Sequence, residues 1–397
     1  MESRFVIATS DNCCGCGACK AICPVNAIKM VENDYGYIMP DINHDLCINC
    51  GKCSKVCHFI SPGEYISKEL PIKSFAAANR DAELLRKSAS GGVFSGVAHF
   101  FLDNGGIVYG AAMQKNNFVR HIGIDSDVKL HFLQGSKYTQ SDSSDIFLSV
   151  RTQLEKGKKV LFSGTPCQCA ALYSFLGREY ENLYTMDLIC HGVGSNKMFK
   201  EDVEYLKKKY KSPVKRVSFR SKRKGWGIGG DLVLDKEIKD YNPANSPYYY
   251  YYLESSIFRD SCYHCPYATQ KRVGDITMGD FWRIETLYRN NNINTDKGIS
   301  CLIVNNLKGA ELLEQIKNLF ILYEAEYDEI VKRNGNLSHA SFIPSSREKI
   351  LDIYLREGYA GIVDYYNRTT KKVRFNYRIK GMVPGDIKKV VKRFWYH

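Results

Sequence analysis

The chain of 397 residues has an ordinary globular composition, with 44% hydrophobic and 25% charged residues, which excludes an intrinsically disordered protein. Its length allows two or three domains with a sizeable core. The formal net charge of +13 is concentrated in residues 368–397, which carry ten Lys or Arg against one acid, Asp386. Because this excess is local, we expect no nucleic-acid partner. No apolar run is long enough to span a bilayer, and the opening residues lack the pattern of a secretory signal.

The first predicted element is a pair of cysteine runs with the spacing C-x2-C-x2-C-x3-C. The first run, followed by Pro24, consists of Cys13, Cys16, Cys19 and Cys23. The second run, followed by His58 where proline is usual, consists of Cys47, Cys50, Cys53 and Cys57. In such runs three thiolates bind one 4Fe-4S cluster, and the fourth reaches the cluster of the other run.

This rule divides the eight cysteines into two ligand sets. The first-run cluster takes Cys13, Cys16, Cys19 and Cys57. The second-run cluster takes Cys47, Cys50, Cys53 and Cys23. Zinc is the alternative, but tetrahedral zinc would leave several of these cysteines without a role. Cys14 falls outside the spacing, and we expect it to be a packing cysteine.

Residues 1–62 are therefore predicted to form a ferredoxin-like α+β module with two 4Fe-4S clusters. Residues 63–73 mix Pro, Gly, Ser and charged residues, which is typical of a linker. Nine of the 15 cysteines lie in the module. Because clusters need free thiolates and therefore a reducing compartment, we expect a cytoplasmic protein.

Residues 74–330 are predicted to form an α/β domain, since predicted strands end in glycine-rich turns that lead into helices. The first such turn contains Ser90, Gly91 and Gly92 at the mouth of a predicted helix. Two glycines there would expose backbone N–H groups that can hold a phosphate. An ordinary turn is the alternative interpretation.

Two later segments carry polar side chains beside turns. The segment QGSKY contains Ser136, Lys137 and Tyr138, although a solvated loop explains the same residues. The segment SGTPC contains Thr165 in front of a predicted helix. We expect these residues to line the crevice in which open α/β sheets bind their ligands.

Cysteines also follow two predicted strands of this domain. Cys167 comes after the first of these strands, and Cys190, followed by His191, comes after the second. Both are expected at the carboxyl edge of the sheet, where ligands bind. A later irregular segment contains Cys262 and Cys265, a pair that by itself fits zinc, a disulfide or half of a cluster site.

Residues 331–397 are predicted to form a helical, basic C-terminal extension. Within residues 387–395, apolar side chains fall on one helical face and basic side chains on the other. Such a helix suits peripheral contact with an anionic membrane or with an acidic partner. Packing of the apolar face on its own protein is the alternative.

Seven segments, in order behind the cysteine runs, resemble the coenzyme F420 hydrogenase/dehydrogenase beta-subunit family. The segments are SASGGVF, QGSKYTQS, LFSGTPCQCAAL, DLICHGVGS, FRDSCYHCPY, RVGDITMGDFW and KGIS. The resemblance extends from about Cys13 to about Leu313. The family consists of iron–sulfur flavoproteins, so the resemblance implies FAD in an α/β flavin-binding domain. Arg283 stands where many members have glycine, a difference that touches no predicted cluster ligand.

The resemblance also implies roles for the polar residues of this domain. Those expected to contact FAD or the substrate are Ser90, Gly91, Gly92, Ser136, Lys137, Tyr138 and Thr165. The candidate catalytic residues are His191, as a proton donor, and Lys137. A structural role for His191 is the alternative.

The family places a cluster beside its flavin, which favours a third 4Fe-4S cluster in this chain. Its predicted ligands are four thiols from three separated segments, Cys167, Cys190, Cys262 and Cys265. A four-cysteine zinc site and unrelated core cysteines are the alternatives.

The resulting hypothesis is an iron–sulfur flavoprotein oxidoreductase that passes electrons between ferredoxin-type clusters, FAD and a small molecule or F420-type deazaflavin. A flavin can join one-electron clusters to two-electron chemistry. We expect a redox partner protein or ferredoxin as a partner. Similar proteins accompany surface-polysaccharide enzymes, which makes a role in that biosynthesis a further expectation. The alternatives are an electron-transfer protein without its own substrate site, and a non-redox scaffold of a polysaccharide-synthesis complex.

Overall fold

The structure, a computed structural model, describes residues 12–287 and 296–382. Its strands are β1 (Ile28–Glu32), β2 (Ile38–Ile42), β3 (Lys73–Asn79), β4 (Ile107–Met113), β5 (Val119–Ile124), β6 (Val160–Gly164), β7 (Leu183–Leu188), β8 (Val214–Ser218), β9 (Gly230–Leu234), β10 (Ile238–Tyr241), β11 (Ile276–Asp280), β12 (Ser300–Val304) and β13 (Phe320–Glu324). Its α-helices are α1 (Ala18–Ile22), α2 (Lys52–Lys55), α3 (Ala82–Lys87), α4 (Val93–Asp103), α5 (Phe147–Glu155), α6 (Pro166–Leu176), α7 (Asn196–Tyr210), α8 (Pro247–Leu253), α9 (Asp260–Tyr263), α10 (Leu307–Ile316), α11 (Tyr327–Arg333), α12 (Arg347–Thr369) and α13 (Lys371–Met382). Among these helices none combines the length and the apolar character that crossing a membrane requires.

The two cysteine runs fold in the same local way. In each run the glycine after the second cysteine adopts a left-handed conformation, with φ of 80° at Gly17 and 70° at Gly51. A short helix then begins, and it carries the third cysteine of the run, Cys19 in α1 and Cys53 in α2. Between the runs, β1 and β2 pair as an antiparallel hairpin.

A mixed eight-stranded sheet forms the centre of the remaining chain, in the order β13-β3-β12-β11-β7-β6-β4-β5. The four strands β4, β6, β7 and β11 pair in parallel. The flanking pairs are antiparallel. Every residue of β6 is buried, as expected for a parallel strand covered on both faces. The predicted α/β class is therefore confirmed in its coarse form, with antiparallel edges that the sequence did not reveal.

The parallel strands determine where a site can form. β6 ends at Gly164, and Thr165 then begins α6 through a capping box with Gln168. β7 ends at Leu188, two residues before Cys190. Because β6 and β7 are parallel, the turns that follow them meet at the same edge of the sheet.

A second core, rich in tyrosine, lies outside the large sheet. The run of five tyrosines, residues 248–252, forms most of α8, and four of the five side chains are buried. This core also includes residues of α7, α12 and the antiparallel sheet β10-β9-β8. The amphipathic segment predicted at residues 387–395 lies outside the described residues.

The module of residues 12–59 packs directly on the larger α/β region. A Cβ atom on Gly15 would lie 2.4 Å from Gln140 Nε2, and a Cβ atom on Gly17 would lie 2.3 Å from Ser144 Cβ. Real Cβ atoms do not approach other atoms so closely. Only glycine at these two positions therefore allows the first cysteine run to lie against the α/β region.

Partly buried hydrogen bonds hold this contact. Ser143 Oγ donates to the carbonyl oxygen of Cys16 at 3.0 Å, and Ser174 Oγ donates to that of Val56 at 2.8 Å. Each bond satisfies a module carbonyl that would otherwise lie unpaired at the junction. The two parts also share one apolar core.

We expect Gly17→Ala to destabilise the protein more than Gly105→Ala. Both glycines have positive φ, but a Cβ atom on Gly105 would meet nothing within 4 Å, so Gly105→Ala isolates the backbone strain of about 1–2 kcal/mol. The clash with Ser144 should add roughly 1–3 kcal/mol in Gly17→Ala. Anaerobic denaturant unfolding measures both losses, and equal losses would show that the module contact is loose.

Candidate cluster and cofactor site

A cavity of about 550 Å³ opens at the carboxyl edge of the parallel strands. The sequence-predicted cofactor and catalytic residues on its walls are Ser90, Gly92, Ser136, Lys137, Tyr138, Thr165 and His191. The cysteines on its walls are Cys14, Cys167, Cys190, Cys262 and Cys265. Clefts of this volume commonly bind cofactors and small molecules. The structure thus brings the predicted cofactor residues other than Gly91, and the four predicted ligands of the third cluster, to one cavity.

The four thiols reach the cavity from three elements. Cys167 lies in the first turn of α6, Cys190 follows β7, Cys262 lies in α9, and Cys265 follows that helix. Burial raises the pKa of Cys190 well above its usual value, and the neighbouring thiols of Cys262, Cys167 and Cys265 raise it further. Four separated cysteines therefore lie close enough to influence one another.

The donor set fits a metal group. Burial raises the pKa of Cys262 to about 11 and that of Cys265 to about 12. A hydrogen bond from Cys14 is the main reason why the pKa of Cys167 falls to about 7, and Thr165 Oγ1, 3.1 Å from its sulfur, contributes. A coordinating metal deprotonates such thiols outright. Four thiolates suit an iron–sulfur cube, and four-cysteine zinc shares the same donors.

The first-run ligand set surrounds a second, small cavity beside the module hairpin. The predicted ligands on its walls are Cys13, Cys16, Cys19 and Cys57. These four are buried or half-buried, whereas Cys50 of the second run is exposed. The first run is therefore the inner one, next to the α/β region, and the second run is the outer one.

Cys14 has a different place from the one its sequence suggested. Its sulfur lies 3.5 Å from Nε2 of the buried His58, and Nδ1 of His58 lies 2.6 Å from the hydroxyl of Tyr267. The ligand atoms of Cys14, Cys16 and His58 all lie within 4.8 Å of one another. Cys14 therefore lies between the inner cysteine run and the Cys167 side of the large cavity. The doublet of adjacent cysteines was its only signal in the sequence.

The glycine-rich turn meets the cavity through the start of α4. The N–H group of Gly91 donates to Ser300 Oγ at 2.9 Å, and Ser90 Oγ donates to the carbonyl oxygen of Ile299 at 2.8 Å. Gly92 and the first residues of α4 line the cavity instead. The N–H groups available to an anion are therefore those of the first turn of α4 rather than that of Gly91.

Lys137 is a cation enclosed by protein. Its Nζ donates to the carbonyl oxygens of Leu133 and Gln134 at 2.8 and 2.9 Å. Burial lowers its pKa to about 7. Within residues 12–287 and 296–382 it forms no ion pair with a carboxylate. The alternative interpretation, a solvated loop, therefore does not fit Lys137, which lies at the wall of the cavity.

The ring of Tyr138 stacks on Tyr252, with centroids 4.9 Å apart. Its hydroxyl accepts a hydrogen bond from Arg220 at 3.1 Å, and Arg220 also pairs with Asp280 at 2.8 Å. Asp280 in turn accepts from the indole N–H of Trp226 at 3.1 Å. Trp282 lies nearby, stacked on Trp226 with centroids 5.1 Å apart. Sequence reasoning missed Arg220, Asp280 and both tryptophans, which come together only in the fold.

His191 follows Cys190 directly, is exposed, and lines the cavity. The surrounding protein lowers its pKa by desolvation, while Asp280 opposes the shift. Its carbonyl oxygen accepts from Ser341 Oγ. His191 therefore lies at the wall of the space where a substrate would bind. Arg283, which replaces the common glycine, adopts φ of 57°, in the left-handed region that glycine enters most easily.

A buried ion pair supports the loop that carries Cys262 and Cys265. Arg272 pairs with Asp187 at 3.1 Å, and the side chains are 1% and 0% exposed. Arg272 also donates to the carbonyl oxygens of Tyr267 and Thr269. The pair thereby joins β7 to the end of the cysteine-bearing loop.

Replacing Arg272 with Gln should strongly destabilise this loop. The change leaves Asp187 charged and buried without its partner, which costs roughly 3–5 kcal/mol. Anaerobic denaturant unfolding measures the loss. The matched control is Lys271→Gln, because the exposed Lys271 bonds to the carbonyl oxygen of Lys68 and should contribute little. Similar stabilities for the two variants would contradict a supporting role for the pair.

Two family models match the chain. Residues 157–329 match the model for the C terminus of the coenzyme F420 hydrogenase/dehydrogenase beta subunit, and residues 12–59 match the model "4Fe-4S dicluster domain". The second match includes both cysteine runs, and the first includes Cys167, Cys190, Cys262 and Cys265. Iron–sulfur chemistry is therefore shown for the module, in agreement with its spacing.

Two curated relatives match different shares of the chain. The chain is 28% identical over 172 residues to the F subunit of the F420H2 dehydrogenase of Methanosarcina mazei, and the match covers 41% of this chain and 47% of that protein. It thus spans about half the length of that relative. It is 24% identical over 356 residues to an uncharacterized protein of Methanocaldococcus jannaschii, covering 80% of this chain and 91% of that protein.

A solved structure with a similar chain is that of the F420-reducing [NiFe] hydrogenase complex from Methanosarcina barkeri. The identity is 15% and the TM-score 0.46, over 72% of this chain and 93% of that chain. The family models and the Methanosarcina mazei relative agree with the resemblance first noted in the seven segments. The chain is thus an iron–sulfur protein in which a 4Fe-4S dicluster domain precedes a domain that matches the C terminus of the coenzyme F420 hydrogenase/dehydrogenase beta subunit.

Proposed function

We propose that the protein is an iron–sulfur flavoprotein oxidoreductase with three 4Fe-4S clusters and FAD. The observation that carries this proposal is the shared cavity, in which four cysteine thiols, an enclosed lysine and the start of α4 meet. The inner cysteine run reaches the same place through Cys14. A protein that only transferred electrons onward would have no need of a further cavity of about 550 Å³ with polar anchors.

The cysteines support an order for the three clusters. The second-run cluster, held by Cys47, Cys50, Cys53 and Cys23, is outermost because Cys50 is exposed. The first-run cluster, held by Cys13, Cys16, Cys19 and Cys57, comes next because these cysteines surround an inner cavity. The third, held by Cys167, Cys190, Cys262 and Cys265, lies in the wall of the large cavity. Electrons enter or leave through the exposed cluster and a redox partner protein or ferredoxin.

The large cavity suits FAD and an organic substrate. Bound there, FAD would exchange hydride with the substrate and single electrons with the clusters. The α4 N-terminus and Lys137 suit the negative diphosphate. Tyr138, held by Tyr252 and Arg220, supplies an aromatic wall for a flat ring. His191 faces the cavity as the candidate proton donor.

The substrate class follows the family relationship. A relative from Methanosarcina mazei is named for F420H2, a reduced deazaflavin, and we propose a deazaflavin or another small organic molecule for this chain. Because iron–sulfur clusters need free thiolates and hence a reducing compartment, we propose that the protein works in the cytoplasm. The membrane or acidic-partner contact predicted for the basic tail concerns residues outside the described ranges.

Iron analysis tests the cluster assignment. The anaerobically reconstituted full chain should hold about 12 irons, as expected for three cubes, and Cys190→Ser should lower this to about eight. Cys301→Ala is the matched control, because Cys301 is fully buried in β12 and belongs to no predicted ligand set. About eight irons in the unmodified chain would rule out the third cluster, and zinc in place of iron would rule out all three.

Lys137→Met should weaken FAD binding by roughly 10–100-fold, because it removes a charged donor worth about 1.5–3 kcal/mol from an enclosed site. The unmodified protein should also bind FAD less tightly as the pH rises through about 7, since the lysine loses its proton there. The variant should lose this pH dependence. Flavin fluorescence titration of the flavin-free full chain measures both effects, with exposed Lys129→Met as the control. Unchanged affinity and pH profile in Lys137→Met would contradict the assignment.

A further inference from the structure

Arg259 lies buried at the junction of the two inner cysteine sets. Its side chain is 2% exposed, and its backbone immediately precedes α9, whose Cys262 N–H group donates to the carbonyl oxygen of Arg259 at 2.9 Å. Its Nε donates to the carbonyl oxygen of Cys13 at 2.5 Å. One residue therefore joins a first-run ligand to a ligand of the third set.

The partners of the guanidinium group within residues 12–287 and 296–382 are neutral. Besides Cys13 it contacts Gln140 Oε1 at 3.2 Å, the sulfur of Met39 and the ring of Tyr37. In the ranges that the structure describes, no carboxylate oxygen forms an ion pair with it.

Other buried arginines of this protein differ from Arg259 in this respect. Their ion pairs are Arg220 with Asp280, Arg272 with Asp187, and Arg347 with Asp260. A buried charge without a counter-ion is costly, and proteins normally pair it or neutralise it. A guanidinium group does not lose its proton in a protein, so Arg259 cannot become neutral. An anion is therefore expected beside it.

The anions that the fold offers are the two cysteine sets. The guanidinium group of Arg259 bonds to the backbone of Cys13, a ligand of the first-run set. Arg259 also lines the large cavity together with Cys262 of the third set, three residues further along the chain. Arg259 thus lies beside a ligand of each set. A cube held by four thiolates is anionic and becomes more so on reduction, which a nearby cation favours.

We propose that Arg259 is the shared counter-charge of the first-run cluster and the third cluster. It stabilises the reduced form of each and lessens the repulsion between two anionic groups that lie on either side of it. This inference rests on the proposed function, since it requires both clusters. Arg259 is a positioning and charge-compensating residue, and it takes no part in the chemistry of the substrate.

Redox titration of the full chain, followed by electron paramagnetic resonance, tests this role. Arg259→Gln should lower the reduction equilibrium constants of both inner clusters at least tenfold, which is about 59 mV for a one-electron couple. Arg259→Lys keeps the charge and should stay near the unmodified protein. The exposed second-run cluster, identified by its loss in Cys50→Ser, is the internal reference and should not shift.

Lys20→Gln is the matched control, because Lys20 is a half-exposed cation next to Cys19 that is already paired with Asp145. It should leave all three potentials in place. Unchanged inner potentials in Arg259→Gln, with about 12 irons retained, would overturn the inference and leave the proposed function standing. Loss of both inner clusters in Arg259→Gln but not in Arg259→Lys would support it, and loss in both variants would overturn it. Absence of the third cluster in the unmodified chain would instead refute the proposed function.

Discussion

The close contact between the first cysteine run and the α/β region is the constraint on which the rest of the structure depends. Gly15 and Gly17 leave no room for a Cβ atom, and side chains of the larger region satisfy backbone carbonyls of the run. Electrons pass efficiently only between groups that are close together. Glycine at these two positions therefore serves function as well as packing, because it allows Cys14 to reach the edge of the large cavity.

The tyrosine core holds the other side of that cavity in place. Tyr248 donates to the carbonyl oxygen of Tyr138 at 2.7 Å, and Tyr252 donates to that of Gly192 at 3.0 Å. One short helix, α8, thus fixes both the segment of Lys137 and Tyr138 and the turn that follows Cys190. A run of five tyrosines looks like low complexity in the sequence, yet two of its hydroxyls form hydrogen bonds to two different walls of the same site.

Features marked by residues close together in the sequence could be predicted, whereas features that depend on distant residues could not. The spacing of the cysteine runs and the two strands that end before Cys167 and Cys190 are local patterns, and these indicated the module and the edge of the sheet. Gly91 shows the limit of such reasoning, since only the fold shows that Ser300, far away in the chain, occupies its N–H group. The position of Cys14 outside the cysteine spacing suggested a packing role. Its proximity to Cys167 arises only when the module packs on the α/β region.

The residues that escaped prediction altogether are charged groups whose partners lie far along the chain. Arg220 meets Asp280 across 60 residues, and Arg272 meets Asp187 across 85. No periodicity or motif marks such pairs, and single residues of this kind usually indicate a solvated surface. The informative property is that these charged groups are buried, and only the folded structure reveals this burial.

The same reasoning explains why the unpaired cations are informative. The fold gives carboxylate partners to Arg220, Arg272 and Arg347, so it is able to pair buried cations where their role is structural. In the described part of the chain it gives none to Lys137 or Arg259, and both line the large cavity. An apolar replacement would remove the desolvation cost at either place. Under the proposed function, anions would bind beside these cations: a flavin diphosphate beside Lys137 and cysteine-bound clusters beside Arg259.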